Sequence, residues 1–190
     1  MNTDIVPFRL TICGLDELGG HCATGVSHVL SILDPGHPEP VAFGGYGEHE
    51  RLELRFHDII DPRPGMILPQ PGDVEQVLEF GRNLMTEPAA TRHLLVHCHA
   101  GVSRSTASMG LILAQARPDL PAAAVWQAVR TIRPIAWPSL RIVELGDELL
   151  GRAGALVTTL RDLYRARLAD EPGWADDLRL WGRGRELAGL

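Results

Sequence analysis

The chain contains no lysine, because all 18 of its basic residues are arginine. Any mechanism that needs a lysine amine is therefore excluded. Cysteine is also scarce, and the sequence has only Cys13, Cys22 and Cys98. This odd and small number fits a reducing compartment better than a disulfide scaffold. We therefore expect a cytoplasmic location and no structural disulfides.

Long apolar runs and excess positive charge are absent as well. No run approaches the ~20 apolar residues that a membrane span needs, and the start MNTDIVPFRL lacks a signal-peptide core. We therefore expect no membrane association. The formal net charge is -6, whereas binding to a phosphate backbone needs a basic surface, so nucleic acid is not expected as a partner.

Alternating apolar patterns and turn signals predict an α/β domain. Four short strands are expected, at residues 8–13, 28–33, 51–59 and 93–98. Helical spacing predicts helices at residues 73–85, 103–116, 120–132 and, as one long helix, 140–169. Strands that alternate with helices indicate a central, mostly parallel sheet flanked by helices.

The stretch HCHAGVSRS, residues 97–105, raises a choice between a metal site and a reactive thiol. His97 and His99 are two residues apart at a strand end, so they point to opposite faces. His93 lies four residues before His97, which on a strand is a distance of about 13 Å. No second Cys/His cluster with the spacing of a zinc site exists in the sequence. We therefore expect no metal and no cofactor.

The thiol interpretation suits the same residues better. Cys98 ends an apolar strand, and Arg104 follows at the start of a helix. A loop of this length turns successive N–H groups into one concavity, which binds anions. Gly101 allows a sharp turn, and the arginine can fork onto two phosphate oxygens. The positive electrostatic field of these N–H groups and of the arginine also favours the thiolate form of Cys98.

HCHAGVSRS resembles the signature loop of the cysteine-dependent protein tyrosine phosphatases, His-Cys-five residues-Arg-Ser/Thr, in their compact dual-specificity branch. The resemblance implies that Cys98 attacks phosphorus and forms a phosphocysteine. It implies that Ser105 helps the thiolate to leave and that His97 supports the loop. The implied phosphate ligands are His99, Ala100, Gly101, Val102, Ser103 and Arg104.

The resemblance also implies a general acid on a loop upstream of the cysteine. The segment FHDIIDPRPG offers Asp58 and Asp61. Asp58 follows the strand residues LELRF, where the family's acid usually stands, and is the preferred candidate. Asp61 precedes a proline and is the alternative, because Asp-Pro also favours a plain turn.

The resemblance covers roughly residues 5–150, and the tail lies beyond it. We expect a catalytic domain at residues 1–169 and a C-terminal helical extension at residues 170–190. Trp174, Leu178 and Trp181 have helical spacing in that extension. This apolar stripe either packs on its own domain or forms a homodimer surface.

The function that this resemblance implies is metal-independent hydrolysis of phosphate monoesters, with phosphotyrosine in proteins as the favoured substrate. Two alternatives remain open. One is a pseudophosphatase, which binds phosphorylated partners without turnover. The other is a rhodanese-like sulfurtransferase, whose active loop also begins with a cysteine after a strand. A disulfide between Cys22 and an oxidised Cys98 is a further hypothesis.

Overall fold

A computed structural model describes residues 5–86 and 90–190. At its centre lies a four-stranded sheet with the strand order β1-β4-β2-β3, in which every neighbouring pair is parallel. The strands are β1 (Arg9–Cys13), β2 (His28–Leu33), β3 (Glu50–Arg55) and β4 (His93–His97). The predicted α/β class with a parallel sheet is therefore confirmed.

Helices flank this sheet. The α-helices are α1 (Pro71–Thr86), α2 (Arg104–Ala116), α3 (Ala122–Ile132), α4 (Leu140–Leu149), α5 (Ala155–Asp170) and α6 (Trp174–Leu180). Shorter 3₁₀ segments cover Leu15–His21, Val41–Gly45 and Gly184–Leu187. None of the helices in the described ranges is long and apolar enough to cross a membrane.

Both faces of the sheet are covered, so the central strand β4 is buried along its whole length. Leu94 and Val96 belong to the large apolar core that the α-helices share. Leu95 points to the other face, where it packs with Leu18 and Phe43 from two 3₁₀ segments. This alternation fixes the register of β4 and hence the position of the residues that follow it.

The single long helix predicted for residues 140–169 is wrong, because the chain breaks between α4 and α5. Gly151 and Gly154 have φ angles of 62° and 83°, which a helix does not contain. The carboxylate of Asp147 accepts hydrogen bonds from the backbone N–H groups of Gly154 (2.5 Å) and Leu156 (2.7 Å). A buried carboxylate thus caps the new helix.

The C-terminal segment packs on the rest of the chain. Leu178 of α6 is fully buried in the main core, whereas Trp181 is 46% exposed. Trp174 packs against that core and lies edge-on to Trp137. Because Leu178 is buried within its own chain, α6 does not offer it to a second copy, and a homodimer through this extension gains no support.

Candidate functional site

The site lies where the parallel strands end. Gly14, Asp34 and Cys98 directly follow β1, β2 and β4, and Asp58 comes three residues after β3. Carboxyl ends of parallel strands share one edge of a sheet, which is the usual position of a ligand site in open α/β folds. The topology therefore brings residues from four distant parts of the chain to one place.

The signature loop, Cys98–Arg104, is held from outside through its carbonyl groups. Leu15 N–H donates to the carbonyl of His99 at 2.8 Å. Arg133 donates to the carbonyls of Ala100 and Gly101, both at 3.1 Å. The next two carbonyls, of residues 102 and 103, accept from the backbone N–H groups of residues 137 and 139.

In a trans peptide unit the C=O and the N–H point in opposite directions. Because the carbonyl groups of this loop point outward, the N–H groups that follow them point inward. Within the described ranges, no backbone N–H from His99 to Arg104 donates to a protein acceptor. The N-terminus of α2 begins at the same place and adds the positive end of its dipole. The loop is therefore a concave set of free donors, which is suited to an anion with several oxygens.

Arg104 is 3% exposed, and its orientation is fixed by one nitrogen only. Its Nη1 donates to Asp34 Oδ1 at 2.6 Å and to the carbonyl of Phe56 at 2.7 Å. Its Nε is buried without a hydrogen-bond partner among the described residues. The Nε–Nη2 edge is thus left free, and this is an edge that can fork onto two phosphate oxygens.

Cys98 lies at the base of this loop and is 2% exposed. Its Sγ is 3.2 Å from the Oγ of Ser105, in the first turn of α2. His97 Nδ1 donates to the carbonyl of Cys98 at 3.3 Å. Burial lowers the pKa of His97 to about 4, so the imidazole is neutral near pH 7. The structure therefore brings the three predicted residues together.

Asp58 reaches the signature loop from the loop after β3. Ser103 Oγ donates to Asp58 Oδ1 at 2.7 Å. Arg183, near the C-terminus, places its Nη1 3.1 Å from the same oxygen. Asp58 Oδ2 accepts no hydrogen bond within residues 5–86 and 90–190.

Asp61 lies apart from the signature loop contacts. Its Oδ1 accepts a hydrogen bond from Arg185 Nε at 2.9 Å, and Arg185 also pairs with Glu144 at 2.5 Å. The side chain of Asp61 is 49% exposed. Of the two predicted acid candidates, only Asp58 contacts a residue of the signature loop.

His99, the residue after Cys98 in the signature loop, is uncharged near pH 7. The backbone N–H of Asp34 donates to His99 Nε2 at 3.1 Å, which requires that nitrogen to carry no proton. Burial lowers the pKa of His99 below its ordinary value, and the nearby Asp34 carboxylate only partly opposes this. The ring of His37 meets that of His99 edge-on, with centroids 4.8 Å apart.

All three cysteines are free. Burial, with a smaller contribution from Glu17, raises the pKa of Cys13 to about 12, so this neighbour of β4 remains a neutral thiol. The Sγ of Cys22 donates to the carbonyl of Ala42 at 3.6 Å. Protection of Cys98 by Cys22 stays a prediction.

Sequence reasoning missed three residues that shape the site. Asp34 had a detectable signal, since it directly follows β2, and parallel strands end at a common edge. Arg183 had none, because its contact with Asp58 depends on how the C-terminal segment packs. Arg133 also pairs with Glu17 at 2.8 Å, which ties the loop to the segment after β1.

No protein-family model and no curated protein matches the sequence. Solved structures do match it. Tk-PTP in its active form is 22% identical with a TM-score of 0.54, and the match covers 76% of this chain and 92% of that one. Human DUSP28 is 16% identical with a TM-score of 0.56, covering 77% and 94%. PTPMT1, solved in complex with PI(5)P, is 16% identical with a TM-score of 0.52, covering 76% and 94%.

Proposed function

Because the chain has the fold of the compact dual-specificity cysteine phosphatases, we propose that it hydrolyses phosphate monoesters through a phosphocysteine on Cys98. The observation that carries this proposal is the set of unpartnered donors around one sulfur. Inward N–H groups and the free edge of Arg104 supply the positive field that a phosphate and a thiolate both need. The protein itself thus provides the charge that a metal supplies elsewhere.

The first step transfers the phosphoryl group to the enzyme. The Sγ of Cys98 forms a bond to phosphorus as the bond from phosphorus to the ester oxygen breaks. Asp58 gives its proton to that leaving oxygen through Oδ2, which accepts no hydrogen bond from the described residues. The loop N–H groups and Arg104 hold the three equatorial oxygens throughout.

The second step restores the enzyme. Water attacks phosphorus, Asp58 accepts a proton from it, and the phosphorus–sulfur bond breaks to release inorganic phosphate. The hydroxyl of Ser105, 3.2 Å from Sγ, donates to the departing thiolate. A reducing, cytoplasmic environment suits this cycle, because an oxidised Cys98 has no free thiolate.

The favoured substrate is phosphotyrosine in proteins. Cys98 is only 2% exposed at the base of the site, so a long, flat side chain reaches it more easily than a short one. Phosphoserine and phosphothreonine are the secondary candidates. A polyanionic lipid headgroup is disfavoured, because the loop side chains bring no fixed positive charge beyond Arg104 and His99 is neutral.

The test is hydrolysis of p-nitrophenyl phosphate and of matched phosphotyrosine and phosphoserine peptides, with a chelator present throughout. Wild type should turn over and Cys98→Ser should not. Absence of turnover by folded, reduced wild type would contradict the proposal. Phosphopeptide binding in that case would favour a pseudophosphatase, and thiosulfate:cyanide activity would favour sulfur transfer.

A further inference from the structure

The C-terminal hook, which we define as residues 182–187, makes an ion pair with the candidate acid. Arg183 is 5% exposed, and its Nη1 lies 3.1 Å from Asp58 Oδ1. Burial works against its charge, but the carboxylates of Asp58 and Glu186 outweigh burial and raise the pKa of Arg183 above its ordinary value. A permanent cation therefore lies beside Asp58.

Glu186 fixes the orientation of this cation. Arg183 forks onto it through Nε (2.9 Å) and Nη2 (2.7 Å). Glu186 is fully buried and also accepts from Trp137 Nε1 at 2.7 Å and from Leu140 N–H at 3.0 Å. Four donors thus satisfy the carboxylate, which a buried charge requires. The guanidinium has only its Nη1 side left for Asp58.

The anchor of Glu186 is connected to the signature loop. The backbone N–H of Trp137 donates to the carbonyl of Val102 at 2.9 Å. Trp137 is therefore bonded to the signature loop by its backbone and to the hook by its indole. Through this one residue, the position of the hook is set relative to the loop that surrounds Cys98.

A second contact holds the loop that carries Asp58. Arg185 donates from Nε to Asp61 Oδ1 at 2.9 Å and from Nη2 to the carbonyl of Ile60 at 3.1 Å. The base of the same loop is closed by His57 and Ile67, whose backbone bond is 2.9 Å and whose side-chain bond is 2.8 Å. The loop is thus fixed at its base and at two points along the hook.

We propose that Arg183 is a positioning residue for Asp58 and that the C-terminal hook clamps the acid loop over the signature loop. This inference rests on the proposed phosphatase function. Arg183 and Ser103 both contact Oδ1, which leaves Oδ2 for proton transfer to the ester oxygen. A carboxyl group fixed in this way loses less orientational freedom in the transition state.

The proposal predicts a dependence on the leaving group. General acid catalysis contributes ~10²–10⁴-fold and matters most when the leaving phenol is basic. Arg183→Gln should therefore lower kcat/KM for phenyl phosphate by about 10-fold or more, as part of that contribution, and lower it less for p-nitrophenyl phosphate. Arg183→Lys, which keeps the charge but cannot fork, should retain an intermediate activity.

The deciding experiment is a double-mutant cycle with Asp58→Asn, in which Arg183→Gln should cause no further loss. Arg179→Gln, at an exposed position of α6 just before the hook, is the matched control and should behave as wild type. If Arg183→Gln does not fold, the double variant Arg183→Met/Glu186→Gln, which removes both buried charges, replaces it. Equal losses on both substrates, or losses that multiply with Asp58→Asn, would overturn the clamp. An inactive wild type would instead contradict the proposed phosphatase function, and the positioning role of Arg183 would then be contradicted as well.

Discussion

Gly101 determines how closely the signature loop approaches β1. Its φ angle is 67°, and an added Cβ would lie 2.4 Å from the carbonyl carbon of Cys13. Any side chain therefore meets backbone that cannot move aside. The outward bonds of the neighbouring carbonyls depend on this close approach, and so does the inward direction of the N–H groups.

Gly101→Ala should remove turnover and destabilise the fold. Backbone strain alone costs about 1–3 kcal/mol for a non-glycine residue at positive φ, and the clash adds to it. Gly151→Ala is the matched control, since its φ is 62° and nothing lies within 4 Å of the added atom. Urea unfolding should show a clearly larger loss for Gly101→Ala. Equal losses would contradict the close-packing account.

At the level of elements, the loop between β3 and α1 carries two carboxylates with different surroundings. Asp58 contacts Ser103 of the signature loop, whereas Asp61 contacts Arg185 of the hook. The first contact places a carboxyl group at the site, and the second holds the loop in place. The two residues should therefore respond differently to removal.

Asp58→Ala should lower the turnover of phenyl phosphate by ~10²–10⁴-fold, the usual contribution of a general acid. Asp61→Ala should have a much smaller effect, because it removes a partly exposed ion pair of about 0–1 kcal/mol. Steady-state kinetics of both variants on one substrate compares them directly. A larger loss for Asp61→Ala would reverse the assignment.

At the scale of the whole molecule, the sequence predicted the strands and helices better than the connections and contacts between them. The strands and the signature loop follow from local patterns, which is why the α/β class and the residues around Cys98 were accessible. The break between α4 and α5 was not, because apolar spacing continues through residues 149–156 while the glycines turn the chain. The pairing of Arg183 with Asp58 was not accessible either, since it depends on the packing of α6.

The stability of the whole fold should fall in mild acid. His97 is fully buried with a pKa of about 4, below the ~6.5 of the unfolded chain. Between these values the unfolded state binds more protons, so this stabilising effect is present above pH ~6.5 and is lost as the pH falls towards 4. His97 contributes at most about 1.4 kcal/mol per pH unit.

Urea unfolding at several pH values from 7 to 4.5 measures this effect. The free energy of unfolding should fall with pH in wild type and fall less steeply in His97→Asn, where no imidazole titrates. An identical slope in the two proteins would show that His97 does not carry the effect.

The central claim is that Cys98 carries the phosphoryl group during turnover. The most direct measurement is rapid acid quenching of the enzyme during hydrolysis of a radiolabelled phosphotyrosine peptide, followed by mapping of the labelled residue. We predict a transient phosphocysteine at Cys98 that accumulates to a higher level in Ser105→Ala and is absent in Cys98→Ser. Turnover without a label on Cys98, or with the label on another residue, would contradict the account.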